Sequence, residues 1–190
     1  MQYEKPLRIT LARKKTELRQ IIALQKANLR ITISEETARE QGFVTAVHTM
    51  ESLQKLNDGA AAAIAKIGSR VVGYALAMKR EFAADVPSLT FLFAEQDEVI
   101  YRGKRFGDAS YLVMGQVCVA AEASGQKIVD RMYRYLRGCY ALHYDYLQTA
   151  IDARNTRSLR VHERIGFEVM HRFSDEQGRD WVLVTWPWND

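Results

Sequence analysis

The stretch Asn155-Thr-Arg-Ser-Leu-Arg-Val-His-Glu-Arg-Ile-Gly-Phe-Glu168 constrains this chain more than any other part of it. It follows Tyr146-Leu-Gln-Thr-Ala-Ile-Asp152, a run that reads as a strand. Leu159, Val161 and Ile165 suit a short helix, and Asn155 can cap its start with a side-chain oxygen. Gly166 stands where a helix commonly stops in the left-handed conformation, and Phe167 opens another strand.

Elsewhere hydrophobic periodicity sets the expected elements. Leu7 to Leu11 alternates as a first strand, and Thr16 to Leu29 carries apolar residues at helical spacing with Thr16 as the cap. A second helical region starts at Ser34-Glu-Glu, breaks at Gly42 and resumes from Met50 to Leu56. Ala60 to Ile67 and Val71 to Met78 flank Gly68-Ser-Arg70 as a hairpin. Pro87 to Ile100 reads as a helix and Arg102 to Asp108 as a loop, so residues 81–110 form a long insertion between the third and fourth strands. Tyr111 to Val119 is the next strand, and Gly125 to His143 a long helix with Ile128, Met132, Leu136 and Cys139 on one face. Glu168 to Phe173 and Trp181 to Trp186 close the chain as a hairpin around Ser174 to Gly178. The expectation is one α+β domain over residues 1–190.

Composition narrows the function classes. The chain is 47% hydrophobic and 26% charged, as in ordinary globular proteins. Its net charge of +4 suits an anionic ligand, but the basic residues are dispersed, which argues against nucleic acid as a partner. Cys118 and Cys139 make no disulfide framework and read as buried thiols in a reducing compartment. No apolar run approaches the roughly 18 residues of a membrane span, and no leader pattern is read. A cytoplasmic protein without a membrane partner, monomeric or homodimeric, is expected. The histidines and cysteines lack metal-ligand spacing, so no metal is expected.

Asn-x-x-Ser-Leu-x-x-His-Glu-Arg-x-Gly-Phe, following a strand that ends in Asp152, resembles the GNAT superfamily of acyl-CoA-dependent N-acyltransferases. There the segment usually reads Asn-x-x-Ala-x-x-Leu-Tyr-Glu-Lys-x-Gly-Phe. The order of elements agrees with that layout over nearly the whole chain, the insertion excepted. The resemblance implies a mixed, mostly antiparallel sheet of about seven strands flanked by four or more helices. It also implies acetyl-CoA as acyl donor and a primary amine as acceptor, joined by direct attack in a ternary complex.

In that superfamily the CoA pyrophosphate sits at the start of the helix after the fourth strand, on a Gln/Arg-x-x-Gly-x-Gly/Ala pattern. Here the matching residues are Ser124, Gly125, Gln126, Lys127, Ile128 and Val129. Ser124 replaces Arg or Gln, Lys127 replaces a glycine, and Val129 replaces Gly or Ala. Two readings stand side by side. Backbone N–H groups of residues 125–129, helped by Ser124 and Lys127, can still hold phosphate. Alternatively the side chains at 127 and 129 crowd the loop, leaving a non-catalytic binding or regulatory module. By the same resemblance Val117, Cys118 and Val119 present main-chain groups to the pantetheine arm, with one N–H polarising the thioester carbonyl. Asn155, Ser158 and His162 complete the cofactor side.

His162 occupies the position of the superfamily's Tyr, which protonates the departing thiolate. An imidazolium can do so at neutral pH, or the ring can simply pack beneath the cofactor. For the general base the candidates are Asp152 and Glu122, near the place where the fourth and fifth strands part. Asp152 can equally be a structural partner of Arg154. The acceptor would lie between the 34–58 helices and the 81–110 insertion, whose acidic residues suit a cationic amine.

Overall fold

The computed structural model describes residues 6–29, 34, 44, 47–85 and 90–189. β1 (Leu7–Leu11) leads into α1 (Lys15–Ala27), and α2 (Met50–Gly59) precedes a hairpin of β2 (Ala63–Ile67) and β3 (Arg70–Lys79). The insertion follows, with α3 (Thr90–Glu98) and a miniature hairpin of β4 (Ile100–Tyr101) and β5 (Lys104–Arg105). Then come β6 (Tyr111–Val119), α4 (Ile128–Tyr140), β7 (Tyr146–Asp152), α5 (Thr156–Ile165), β8 (Glu168–Ser174) and β9 (Asp180–Pro187). Seven strands form one sheet in the order β1-β2-β3-β6-β7-β9-β8, antiparallel except for the β6–β7 pair. The expected mixed sheet is therefore present, with five α-helices among the described residues.

Strand alternation separates two cores. On one face Ile128, Met132, Tyr133 and Leu136 of α4 pack on Ala75, Leu112, Leu147 and Val182. On the other, Leu18, Ile21 and Leu53 of α1 and α2 cover Ile64, Tyr74 and Leu76. The insertion extends that second layer, since Phe93, Val99 and Phe106 close over Met78, Val113 and Leu183. Phe106 also stacks on Tyr111, with ring centroids 4.9 Å apart. The long connection thus has a purpose: it roofs the sheet where α1 and α2 do not reach.

Several local expectations need correction. α1 is capped from Lys14, whose backbone is extended, while Thr16 lies inside the helix. The Glu17 carboxylate supplies the capping oxygen, accepting from Arg13 N and Lys14 N at 2.9 and 3.0 Å. α4 starts at Ile128, not Gly125, because Gly125 (φ 83°) and Lys127 (φ 52°) are both left-handed and interrupt the helical path. It ends at Tyr140, and Cys139 is exposed rather than buried, unlike Cys118. Ile100 leaves the helix for β4, and the loop expected at Arg102–Asp108 contains β5 and a short 3-10 turn. Most of the helical segment expected from Ser34 through Gly42, and Pro87 with Leu89, lie outside the described residues. Among the described residues no helix is long and apolar enough to cross a membrane, and no cluster of three His, Cys, Asp or Glu side chains is placed to hold a metal.

At the other end of the 155–168 stretch the local reading agrees with the structure. The Asn155 side chain accepts from Ser158 N at 3.1 Å, and Gly166 is left-handed at φ 115°. A β-carbon at 166 would stand 3.1 Å from Trp186 Nε1, so both conformation and space select glycine.

Candidate functional site

The parallel pair is where the sheet opens. β6 and β7 pair only from Tyr111–Val113 to Tyr146–Gln148, yet β6 continues to Val119 and β7 to Asp152. A bulge at Gly115, where β6 slips against β3, bends the strand at the point of parting. Thr149 Oγ1 donates to Met114 O at 2.8 Å and ties the fork at its base. Beyond it the edge of β6 that faces β7 has no strand partner among the described residues. Ala120 N turns toward β3 and bonds Val72 O at 2.8 Å, so strand alternation turns the main-chain groups of Val119 and Val117 into the fork.

The start of α4 meets this edge. The first bond of that helix ladder runs from Arg131 N to Lys127 O at 3.1 Å. The N–H groups of Ile128, Val129 and Asp130 precede it and have no partner within the helix. With the dipole of a 13-residue helix behind them, they form a ready anion cradle. The side chain of Ile128 is itself buried in the core, so only its backbone belongs to the cradle. A β-carbon on Gly125 would meet nothing within 4 Å, which leaves the loop open to a ligand. Ser124 Oγ accepts from Arg157 Nη2 at 3.0 Å, bringing a guanidinium to the mouth of the loop. Arg164 pairs with Asp130 at 2.6 Å and fastens α5 beside the start of α4.

A cleft of about 120 Å³ joins these parts. Of the expected residues, Val117, Cys118, Val119, Ser124, Val129, Asn155, Ser158 and His162 all line it. Val129 forms part of an apolar wall with Val161 and does not seal the opening. Arg157, Val161 and Asn28 line it too and were missed by the sequence reading. Arg157 and Val161 are one turn apart on α5, and that spacing was the available signal. A second cavity of about 80 Å³ shares Val117, Asn155, Ser158 and His162 with the first and reaches Gln116, Asp152 and Trp181. The two adjoin at the fork through these shared residues.

His162 sits between them, only 3% exposed. Its Nδ1 lies 2.8 Å from Ser158 O, so that nitrogen carries the proton. Its Nε2 lies 2.7 Å from the Tyr133 hydroxyl, which must then donate to it. Burial pushes the ring's pKa down to about 4, only partly opposed by the bond to Ser158 O. The ring is neutral at pH 7 with both nitrogens engaged, which is poor equipment for an acid.

The carboxylates also separate. Asp152 is buried and lines the second cavity, but accepts from Arg154 N, Nε and Nη2 at 2.9, 3.0 and 2.6 Å. Burial pushes its pKa up, and the bonds and charge of Arg154, with Arg179, more than offset this and hold it below the usual value. Glu122 faces Arg70 on the surface and lines a different cavity, so it does not reach the fork. Gln116 is held by Gln25 Nε2 at 2.8 Å and Tyr74 OH at 2.7 Å, both donating to its Oε1.

Solved structures share this architecture. An N-acetyltransferase from Staphylococcus aureus Mu50 is similar over 97% of this chain and 99% of its own, with TM-score 0.63 and 16% identity. A putative acetyltransferase from Salmonella typhimurium, solved with its cofactor acetyl-CoA, is similar over 97% and 95%, with TM-score 0.61 and 15% identity. A GNAT-family acetyltransferase from Streptococcus agalactiae 2603 is similar over 99% of both chains, with TM-score 0.62 and 16% identity. No protein-family profile and no curated protein sequence matches the chain. Forked parallel strands, the helix start beside them and the likeness in shape along almost all of the chain together identify the GNAT acetyltransferase fold.

Proposed function

We propose that this protein transfers an acetyl group from acetyl-CoA to a primary amine by direct attack at the fork. One observation carries the reading: the edge at Val117–Val119, unpaired among the described residues, and the open start of α4 face one cleft, and a second cavity at the fork shares Val117, Asn155, Ser158 and His162 with it. When bound, acetyl-CoA supplies an activated acyl carbon and a thiol leaving group. An attacking amine exchanges a C–S for a C–N bond and releases its surplus proton to water. The residues suit such a ligand. Backbone donors at 128–130, Lys127 and Arg157 match phosphate charge, the edge of β6 matches amide groups, and Val129 and Val161 offer an apolar wall.

On the acceptor side the ionised Asp152 draws an ammonium toward the fork and is the carboxylate lining that cavity among the described residues. Its lowered pKa suits it to holding the amine more than to taking its proton in one step. Because His162 has no proton to spare, Ser158 would be the residue to offer a hydrogen bond to the departing sulfur. Its hydroxyl lines both cavities, and its oxygen lies 3.3 Å from the protonated Nδ1 of His162. Its own hydrogen is therefore free to turn into the cleft. Ser158→Ala is expected to lower kcat about tenfold while leaving acetyl-CoA affinity within about twofold. Steady-state kinetics beside calorimetry checks this, and an unchanged kcat would remove Ser158 from the mechanism.

The function itself is tested by heating the protein with acetyl-CoA and following release of free thiol with an amine panel. A ligand held at ~100-fold its Kd stabilises the fold by about 2.7 kcal/mol, or several degrees in Tm. Stabilisation without thiol release would favour the non-catalytic binding module. Neither effect at millimolar acetyl-CoA would end the transferase reading.

A further inference from the structure

At the base of the fork, on the acceptor side, lies a recess of about 30 Å³. Leu92, Phe93 and Gln96 of the insertion roof it, and Gln148 with Val113 belongs to its floor. It shares Met114, Gly115, Thr149 and Ala150 with the acceptor cavity, so the two adjoin across these residues. Gln148 forms the last rung of the β6–β7 ladder with Val113 and is 1% exposed. Its Oε1 is buried with no hydrogen-bond partner among the described residues. Among the described residues of the roof the other polar side chain does not serve it, because Gln96 Nε2 donates to the Tyr111 hydroxyl at 2.7 Å. Leu92 and Phe93 have nothing to donate.

A buried, unpaired carbonyl oxygen is costly unless something enters with a donor, and the recess's Gln96 and Thr149 donate elsewhere, to Tyr111 and to Met114 O. The volume admits one water-sized group and no more. We infer that Gln148 is a specificity residue whose amide oxygen accepts a hydrogen bond from a hydroxyl borne close to the acceptor's amine. The inference rests on the transferase reading and names its substrate class: hydroxylated primary amines, in preference to alkyl amines of the same shape. Asp152 and the fork hold the ammonium, and the recess reads the neighbouring group. A methyl in the hydroxyl's place would fit the volume but leave Oε1 dry, and that asymmetry is the source of discrimination.

The test uses two isosteric pairs as acceptors, L-threoninamide with L-valinamide and L-serinamide with L-2-aminobutanamide, at saturating acetyl-CoA. The wild-type protein is expected to favour the hydroxylated member of each pair by about tenfold or more in kcat/KM. Gln148→Met, which keeps the volume and removes the acceptor, is expected to shrink that preference below about twofold or reverse it, with acetyl-CoA affinity unchanged. Equal handling of each pair by the wild type would overturn the inference whether or not the variant folds. A folded Gln148→Met that kept the preference would do the same, and would make the recess the seat of a structural water. Failure to acetylate any of the four amines also overturns it. An acetyl-CoA titration then separates the two levels: retained binding means only the acceptor class is wrong, and lost binding means the transferase reading falls as well.

Discussion

Replacing His162 with alanine is expected to lower the free energy of unfolding by about 3 kcal/mol at neutral pH. The imidazole is enclosed by the edges of Tyr133 and Phe167, with ring centroids 5.4 and 4.8 Å away. Its removal leaves a cavity and strands the Tyr133 hydroxyl, which is itself fully buried. For a chain of this size the loss corresponds to roughly 6–12 °C in Tm. The pH dependence distinguishes this from loss of a catalytic acid. In the fold the ring has a pKa of about 4, against an ordinary 6.5. Between those values the unfolded chain holds the proton and the native protein does not. This group's contribution to stability is therefore complete above about pH 6.5 and is lost progressively as pH falls toward 4. The loss is on the order of 3 kcal/mol for a shift of that size. The alanine variant has no such limb, so its gap from wild type should narrow on acidification. Urea unfolding at pH 7.5 and pH 5 measures it. A gap that widened at pH 5 would mean the native ring is charged, as an acid role demands.

The second large effect concerns the anion cradle. Removing both Lys127 and Arg157 side chains, as Lys127→Ala with Arg157→Ala, is expected to raise the Kd for acetyl-CoA by about 10²-fold. Each charge-assisted bond to phosphate is typically worth about 1.5–3 kcal/mol, discounted here because both side chains meet solvent. Alanine keeps a β-carbon, so the left-handed backbone at 127 is no more strained than with lysine. The remaining affinity should depend less steeply on salt, since fewer charges are being screened. Isothermal titration at two ionic strengths reads both quantities. Binding within about twofold of wild type would place the phosphate anchor somewhere other than the start of α4.

What the chain reveals by inspection is what it encodes locally. Asn155, Gly166 and the apolar positions between them act within a few residues, so the cap, the helix and its left-handed stop are all readable. Partners distant in sequence are not. Nothing near His162 announces that Tyr133 will hold its Nε2, and the motif position alone suggested an acid. Glu122 lies one turn from the fork in sequence but points to Arg70, because a 3-10 turn at Ala121–Ala123 redirects it. Arg157 stands in the first turn of a helix, where nothing local sets it apart from a solvated charge. Only the folded loop brings Ser124 to it. Cys139 continues the spacing of Ile128, Met132 and Leu136, yet it falls beside Arg13 and Lys14 at an open cavity past the edge of the core. The parting of the strands is implied by the family resemblance, and Gly115, a glycine inside a strand otherwise rich in large side chains, is where the bulge falls.

The open edge of β6 has a consequence for how freely side chains around it can be exchanged. Donors and acceptors at Val117 and Val119, and the N–H groups at 128–130, belong to the peptide backbone, which is the same for almost every residue. A binding surface written in main-chain atoms tolerates wide exchange of side chains, provided the strand keeps its bend and the helix its starting point. Ser124, Lys127 and Val129 can then stand where other residues are usual without dismantling the surface. Such a surface is compatible with a shape that follows a solved GNAT-family acetyltransferase over 99% of the chain at 16% identity.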